Sequence, residues 1–532
     1  MHNKILLAAA ISWAALPAGA VPFAPTDARA MAMGGTGVAS AKTVHAVQFN
    51  PALLSSADES DDFGLLFPQM GGYFSDENDF IESADDFVEA DFITSFNAAI
   101  DNISSPIDNI QTLITTIDSA SSGNGNLAAL SSATTQLATE TTSLVTGSTQ
   151  LSTATSDLTT GEFGLQSLSG KALRGGLGGG AGVAIPSKKF SFAISANNST
   201  SFAGQLNVAT SDLNTINAYP GALAAFAGVT NDYATAAAAV SGILTRIETA
   251  QATNDLAAIP GLGGELSTAQ ADLTTASSAL NNFSYGGTST PDDDSDGDFV
   301  IFEGGALASG AQDITLDSTV DIIAIAVTEI AISISREFTF GDRQVAIGIT
   351  PKLQRIDAYD YTVKVEDETD TGDITDSGVD DTAFNLDIGA STRFGSIEQG
   401  TIGIVAKNLI GRDITTVNGR LIEIKPQLRA GVSYQAFGWI NLAADLDLME
   451  NDPVAFEEPS QYFAAGLEAD VFGFMQLRGG FRTNLAASDQ EVISLGAGLS
   501  PFSLFHTDIG LYTNTSDPKK EVGLVFEFGV DW

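Results

Sequence analysis

The stretch PDDDSDGDFVIFE, from Pro291 to Glu303, sets carboxylates at alternate positions around a glycine. Asp292, Asp294, Asp296, Gly297 and Glu303 satisfy the pattern D-x-[DN]-x-[DN]-G-x5-E in full, and Asp298 adds a further oxygen donor. Ca2+ takes about six to eight oxygen ligands, and this spacing wraps carboxylates around one ion with glycine at the sharp turn. The expected metal ligands are therefore Asp292, Asp294, Asp296, Asp298 and Glu303, and the expected cofactor is Ca2+. The flanks are not those of a helix–loop–helix pair, because Pro291 precedes the motif and Gly304-Gly305 follows it. The bland alternative is a solvated acidic loop in a very acidic chain.

Other chemistry finds less support. Gly34, Gly35 and Gly37 permit tight turns. They lack the following Lys-Ser/Thr pair and the full spacing of a nucleotide loop. Gly175 to Gly182 leads into a strand, not a helix, so it reads as packing rather than phosphate binding. Beyond the first twenty residues, roughly a processing segment in length, the histidines are His45 and His506, far apart in sequence. No elbow motif presents a nucleophile, so the chain is not expected to be an enzyme. With no cysteine there are no disulfides, thiolate metal sites or lipoprotein anchor. The net charge of −43, from 66 acidic and 23 basic residues, disfavours nucleic acid as a partner.

The elements that must position these residues are mostly strands. In EVGLVFEFGVDW, Glu521 to Trp532, the residues Leu524, Phe526, Phe528, Val530 and Trp532 alternate with Val525, Glu527, Gly529 and Asp531. One greasy and one mostly polar face is what a membrane barrel requires of its strands, since lipid and lumen lie on opposite sides. Residues 1–20 read as a signal peptide: Lys4, an apolar run from Ile5 to Ala15, and the cleavage site Ala18-Gly19-Ala20. After them no run of about 18 apolar residues occurs, so no spanning helix is expected.

Period-2 segments fall at 63–74, 172–185, 190–202, 319–336, 343–366, 380–394, 400–409, 421–436, 439–449, 460–470, 475–484, 491–500, 505–513 and 521–532. That makes about 14 strands, an even number as bacterial barrels require. Short turns such as Pro186 to Lys189 and Phe437-Gly438 join even to odd strands. Long segments join odd to even ones. Sorting of this kind marks a barrel with extracellular loops, and a sandwich has no reason for it. Two of the long joints carry helical periodicity. Ile93, Phe96, Ile100, Ile103, Ile107, Ile110, Ile114 and Ile117 form one seam, in which Pro106 predicts a kink or a helix start. After the turn Ser121 to Gly125, Leu130, Leu137, Leu144, Leu151 and Leu158 form its partner. A second insert carries Val240, Leu244 and Ile247, then Leu266, Leu273 and Leu280 after Pro260-Gly261.

Alternation also predicts the lumen. Glu423, Lys425, Gln427, Arg429, Asn441, Asp445, Asp447, Gln476, Arg478, Arg482, Asp387 and Arg393 point inward, opposite rows such as Leu428/Val432 and Leu442/Leu446. Both signs of charge line this interior, and mutual pairing is the favoured arrangement because unpaired buried charge is costly.

Between the leader and the first strand stand Ala28-Arg29-Ala30, Met33-Gly34-Gly35, Gly37-Val38-Ala39 and Asn50-Pro51-Ala52-Leu53. This segment resembles the N-terminal region of the FadL-like outer-membrane barrels, and within them the conjugal-transfer TraF-like family. The likeness continues more loosely through Ile349 to Asp357 and Phe384 to Ala390. It implies a small hatch within or below the barrel. The expectation is thus an all-β protein with helical insertions: an antiparallel transmembrane β-barrel of about 14 strands with an N-terminal hatch and two extracellular helical hairpins. The parts are a signal peptide at 1–20, the hatch at 21–60 and the barrel at 61–532, with inserts at 80–160 and 207–290. The implied location is the outer membrane of a Gram-negative bacterium. The implied partners are outer-membrane lipid and, through the C-terminal strand, the barrel assembly machinery. Two functions stay open: a transport barrel for a small hydrophobic ligand, or a conjugation or secretion component whose helical hairpins meet a surface protein partner.

Overall fold

A computed structural model describes residues 26–531 apart from 57–62, 77, 122–125, 287–299, 309–310, 312–315, 366–373, 375, 397, 452–455, 457–458, 489 and 502–503. The signal segment 1–20, the turn residues 122–125, the acids Asp292, Asp294, Asp296 and Asp298, and Trp532 lie outside the described residues.

The strands, in chain order, are β1 (Gly64–Ser75), β2 (Ala172–Ile185), β3 (Ser191–Asn207), β4 (Tyr285–Gly286), β5 (Val300–Glu303), β6 (Ala306–Leu307), β7 (Thr319–Phe340), β8 (Arg343–Lys364), β9 (Gly378–Phe394) and β10 (Gly400–Lys407). There follow β11 (Arg412–Thr415), β12 (Leu421–Ile424), β13 (Gln427–Ala436), β14 (Ile440–Asp447), β15 (Tyr462–Val471), β16 (Met475–Asn484), β17 (Val492–Leu499), β18 (Phe505–Asn514) and β19 (Val522–Asp531). Fourteen of them close into one antiparallel barrel, β1-β19-β18-β17-β16-β15-β14-β13-β10-β9-β8-β7-β3-β2. The first and last strands seal it, with Gly64 opposite Asp531 and Phe74 opposite Val522. Closure removes the free edge that a terminal strand as apolar as β19 would otherwise present.

The alternation read from the sequence is the barrel's two faces. On β19, Leu524 and Phe526 are exposed, whereas Val525, Glu527 and Gly529 are buried. Leu442, Leu446, Leu477, Ile493, Leu495, Ile509 and Leu511 extend the same outer apolar band. At the end of the short turns this band meets exposed aromatics, Phe190, Phe340, Phe394, Phe437, Trp439, Phe472, Phe474 and Phe505. Such a girdle is where amphipathic and aromatic rings settle at a membrane–water interface. No helix among the described residues is long and apolar enough to cross a membrane.

One expected strand is two. Residues 421–436 break before Pro426, which has no N–H to give to a ladder. Leu421–Ile424 pairs instead with Arg412–Thr415 as a separate hairpin. Its Ile414, Ile422 and Ile424 pack on Ile323, Ile325, Val327, Ile356 and Ala358. Those residues belong to the long-loop ends of β7 and β8, which run 22 residues each, against 8 and 10 for β10 and β13, the barrel strands on either side of the hairpin in the chain. Glu423 and Lys425 are accordingly not lumenal; they pair with each other at 3.0 Å on the hairpin.

The helical seams are present, but the two inserts are one body. Helices Phe92–Ser121 and Leu127–Thr159 form the first hairpin, Thr210–Ala252 and Ile259–Asn281 the second. Pro106 lies within the first helix, which continues through it and buries it. Ile103, Ile107, Ile110, Ile117, Leu130, Leu137, Leu144 and Leu151 share one core with Tyr219, Phe226, Tyr233, Val240, Leu273 and Leu280. The longest helix, 43 residues, extends about 65 Å at 1.5 Å per residue. Polar ties cross between the hairpins. Tyr233 donates to Asp118 Oδ1 at 2.9 Å, and Ser277 donates to Asp118 Oδ2 at 2.6 Å. Burial, with Asp118 beside it, holds the Tyr233 phenol well above its usual pKa, so it stays a neutral donor. Tyr233→Phe takes one partner from the half-buried Asp118 carboxylate and should cost about 1 kcal/mol. The check is a lower thermal midpoint for the helical circular-dichroism signal, with the barrel unchanged.

A plugged lumen as the candidate functional site

The lumen is filled by residues 26–56. Asp27 caps the helix Ala28–Ala32, accepting from Ala30 N at 2.8 Å. Gly34 and Gly35 turn the chain at φ 76 and 92, as their spacing suggested. The 3-10 turn Thr43–His45, the helix Ala46–Phe49 and a second 3-10 turn Pro51–Ser55 complete the segment. Asn50 starts that last turn, accepting from Ala52 N at 3.1 Å.

Glycines in the wall admit this plug. A Cβ added at Gly348, Gly403, Gly466, Gly480, Gly496 or Gly510 would collide with Pro51, Val38, Met33, Gly34, Ala32 or Ala28 respectively. Plug backbone thus lies directly against wall backbone on strands β8, β10, β15, β16 and β18, and the Ala32 methyl group against β17. Gly480→Ala drives a methyl group into plug backbone, with overpacking of about 1–3 kcal/mol. The expected result is new protease cleavage between residues 26 and 56 in a barrel that still shows its heat-dependent gel shift.

The remaining contacts are charged, and most of the inward charges are paired. Arg29 holds Glu468 through two bonds, 2.8 and 2.9 Å, and donates to Ser40 O at 2.7 Å. Arg478 donates to the same Glu468 at 2.7 Å and to Asp508. Asp445 accepts Gly37 N at 2.7 Å and Val38 N at 2.9 Å. Lys352 bridges Glu329 and Asp387 at 2.9 and 3.1 Å, and Lys407 donates to Gln48 O at 2.8 Å. Arg429 pairs with Asp447 within the wall, and Arg393 reaches Ser56 O. Such an arrangement holds the plug in one seat by geometry as well as charge, because each guanidinium fork fits its carboxylate in one orientation.

Two residues dismissed as distant meet here: His45 of the plug and His506 of β18 lie 6.0 Å apart between ring centres, beside Glu527. Of the expected metal ligands, Glu303 is described; it is exposed at the end of β5. The base of its loop is a small sheet of order β4-β5-β6, pinned to the helical bundle by Phe302 stacked on Phe226 at 4.6 Å.

These features define a class: a closed β-barrel with an apolar belt, plugged from within by its own N-terminal segment. The sequence belongs to the family described as "F plasmid transfer operon, TraF, protein", which it matches over residues 47–447. Among solved structures the Ralstonia pickettii toluene transporter TbuX is similar over 95% of this chain and 98% of that one, at 10% identity and a TM-score of 0.42. The CymD monoaromatic hydrocarbon channel is similar over 96% and 98%, at 8% identity and 0.40. For the Pseudomonas putida toluene transporter TodX the figures are 95%, 96%, 8% and 0.37. No curated protein sequence matches the chain.

Proposed function

We propose that the chain is an outer-membrane barrel of a Gram-negative cell that carries small hydrophobic molecules, with residues 26–56 as its gate. One observation carries this reading. A cleft of about 30 Å3 lies between the plug and the glycine-rich wall of β1 and β2. It is lined by Thr26 and Met31 from the plug side, by Gly71, Gly72, Gly176 and Gly178, and by Leu177, which is 48% exposed on the lipid face. Where strands lack side chains, a small movement of the plug opens a path from lumen to lipid. The charged lumen then serves the gate's fit rather than the ligand's path. Gly178→Val, whose side chain meets Thr26, tests it: uptake of radiolabelled toluene by whole cells should fall, with folded barrel at wild-type level. Equal uptake by wild type, variant and a deletion strain would sink the transport reading.

A second reading rests on the shared core of the two inserts. In it the barrel is an anchor, and the bundle is the working surface of a conjugation or secretion component. Because the hairpins share one core, residues 85–160 and 207–290 are removed together. Lost surface binding or mating with unchanged solute uptake supports this reading.

Ca2+ at Asp292, Asp294, Asp296, Asp298 and Glu303 stands as a proposal alongside either. Its support is the complete ligand pattern, closed at its base by β4, β5 and β6. Native mass spectra should lose about one Ca2+ on chelation. Asp292→Asn with Asp296→Asn should abolish that difference, and a wild-type mass unmoved by chelator refutes the site. In the cell, β19 is the segment we expect the barrel assembly machinery to read.

A further inference from the structure

We propose a transition-metal site, of the class that Zn2+ occupies, between the plug and the closing strands of the barrel. Its ligands are His45 from the plug and His506 and Glu527 from β18 and β19. The three are buried, and their ligand atoms all lie within 4.8 Å of one another. Zn2+ bonds of about 2.0 Å place neighbouring ligand atoms of a tetrahedron roughly 3.3 Å apart. Small rotations of the two imidazoles cover the difference. Two imidazole nitrogens with a carboxylate oxygen suit Zn2+ and the other late first-row divalent ions, whereas Ca2+ and Mg2+ prefer oxygen alone.

Three further observations fit a built site. Glu527 Oε2 accepts from Ala28 N at 3.0 Å, while Oε1 lies 3.2 Å from His45 Nε2. The backbone bond therefore orients the carboxylate and points its other oxygen at the histidines, as supporting hydrogen bonds do around metals. Asp27 is similarly fixed, with Oδ1 capping Ala30 N and Oδ2 3.9 Å from His45 Nε2, in reach of a fourth position. The wall is cut back to Gly529 opposite His506, and a Cβ there would occupy the space of the imidazole.

Charge gives the reason for a cation. Glu468 is matched by two guanidiniums, Arg29 and Arg478. Glu527 and Asp27, 0% and 1% exposed, share the imidazole of His45 as an ion-pair partner. Two buried carboxylates facing these histidines carry negative charge that a divalent ion would offset. Bound there, the metal staples the plug to strands nearly the whole chain away, whichever use the barrel has.

The test uses the full-length protein extracted from outer membranes in mild detergent, stripped with chelator and titrated with Zn2+ and with Co2+. Elemental analysis should find about one Zn2+ per chain, and Co2+ should give the intense visible bands of a four-coordinate site. His506→Ala and His45→Gln should each weaken uptake more than about tenfold. The heat-dependent gel shift reports that the variants are folded. Asp292→Asn with Asp296→Asn should leave Zn2+ uptake unchanged, which separates this site from the acidic loop. Wild-type protein with no Zn2+ above the stripped blank overturns the proposal, as do folded histidine variants that keep their metal. If neither variant folds, the wild-type Co2+ spectrum decides: weak six-coordinate bands overturn it.

Discussion

Glu468→Ala should unseat the plug. The carboxylate accepts two bonds from Arg29 and one from Arg478, and Lys42 stands 3.6 Å away. Its loss strands positive charge in a buried site, where Arg29, Glu468 and Arg478 are 4%, 5% and 7% exposed. Breaking a buried pair from one side costs about 3–5 kcal/mol, more than keeping both partners contributes, because the remaining charge is desolvated without its counter-charge. Arg478 keeps Asp508, but Arg29 keeps from this set the single bond to Ser40 O. The plug side therefore bears the loss. In planar bilayers the variant should conduct where wild type is quiet, and protease should cut within residues 26–56. Glu468→Gln retains an acceptor and should fall between the two. Arg29→Met combined with Glu468→Leu should recover part of the loss, since Arg478 then has Asp508 and no guanidinium remains stranded on the plug. A Glu468→Ala barrel with wild-type silence and protection would show that glycine seating alone holds the segment.

Phe226→Ala should melt the helical bundle while the barrel stands. The ring is 0% exposed, stacks on Phe302 at 4.6 Å and lies 5.4 Å from Phe283. Removing a buried phenylalanine costs about 3–5 kcal/mol, through lost transfer energy and the cavity left behind. That is a large share of the stability of one small helical body. The three rings also join the second hairpin to β5, so the base of the Asp292 loop should loosen with them. The measurement is circular dichroism at the helical minimum against temperature, with the gel shift as the barrel's own report. Helical loss at a lowered midpoint with an unchanged gel shift is the expected pair. Loss of both together would mean that bundle and barrel unfold as one unit.

The sequence by itself determined the elements and their sorting. Alternation of period two is a local property, and it marked all 14 barrel strands. Heptad spacing is equally local, and Ile103, Ile110, Leu137 and Leu144 are buried where it placed them. Loop lengths alone separated the short-turn end from the end that carries the inserts. The charges of the inner rows were legible for the same reason, although their partners were not. Tertiary structure decided what depends on closure. Ile422 and Ile424 alternate in phase with the wall, yet they turn at Pro426 to cover the overlong ends of β7 and β8, a length mismatch no single strand displays. The hairpins read as separate because strands intervene, and they merge because the barrel sets their roots side by side. Gly466 and Gly480 look like ordinary strand glycines until the plug backbone arrives beside them. His45 and His506 meet because β1 and β19 pair across the seam of the barrel, a contact made by the two ends of the chain and therefore invisible to any window along it.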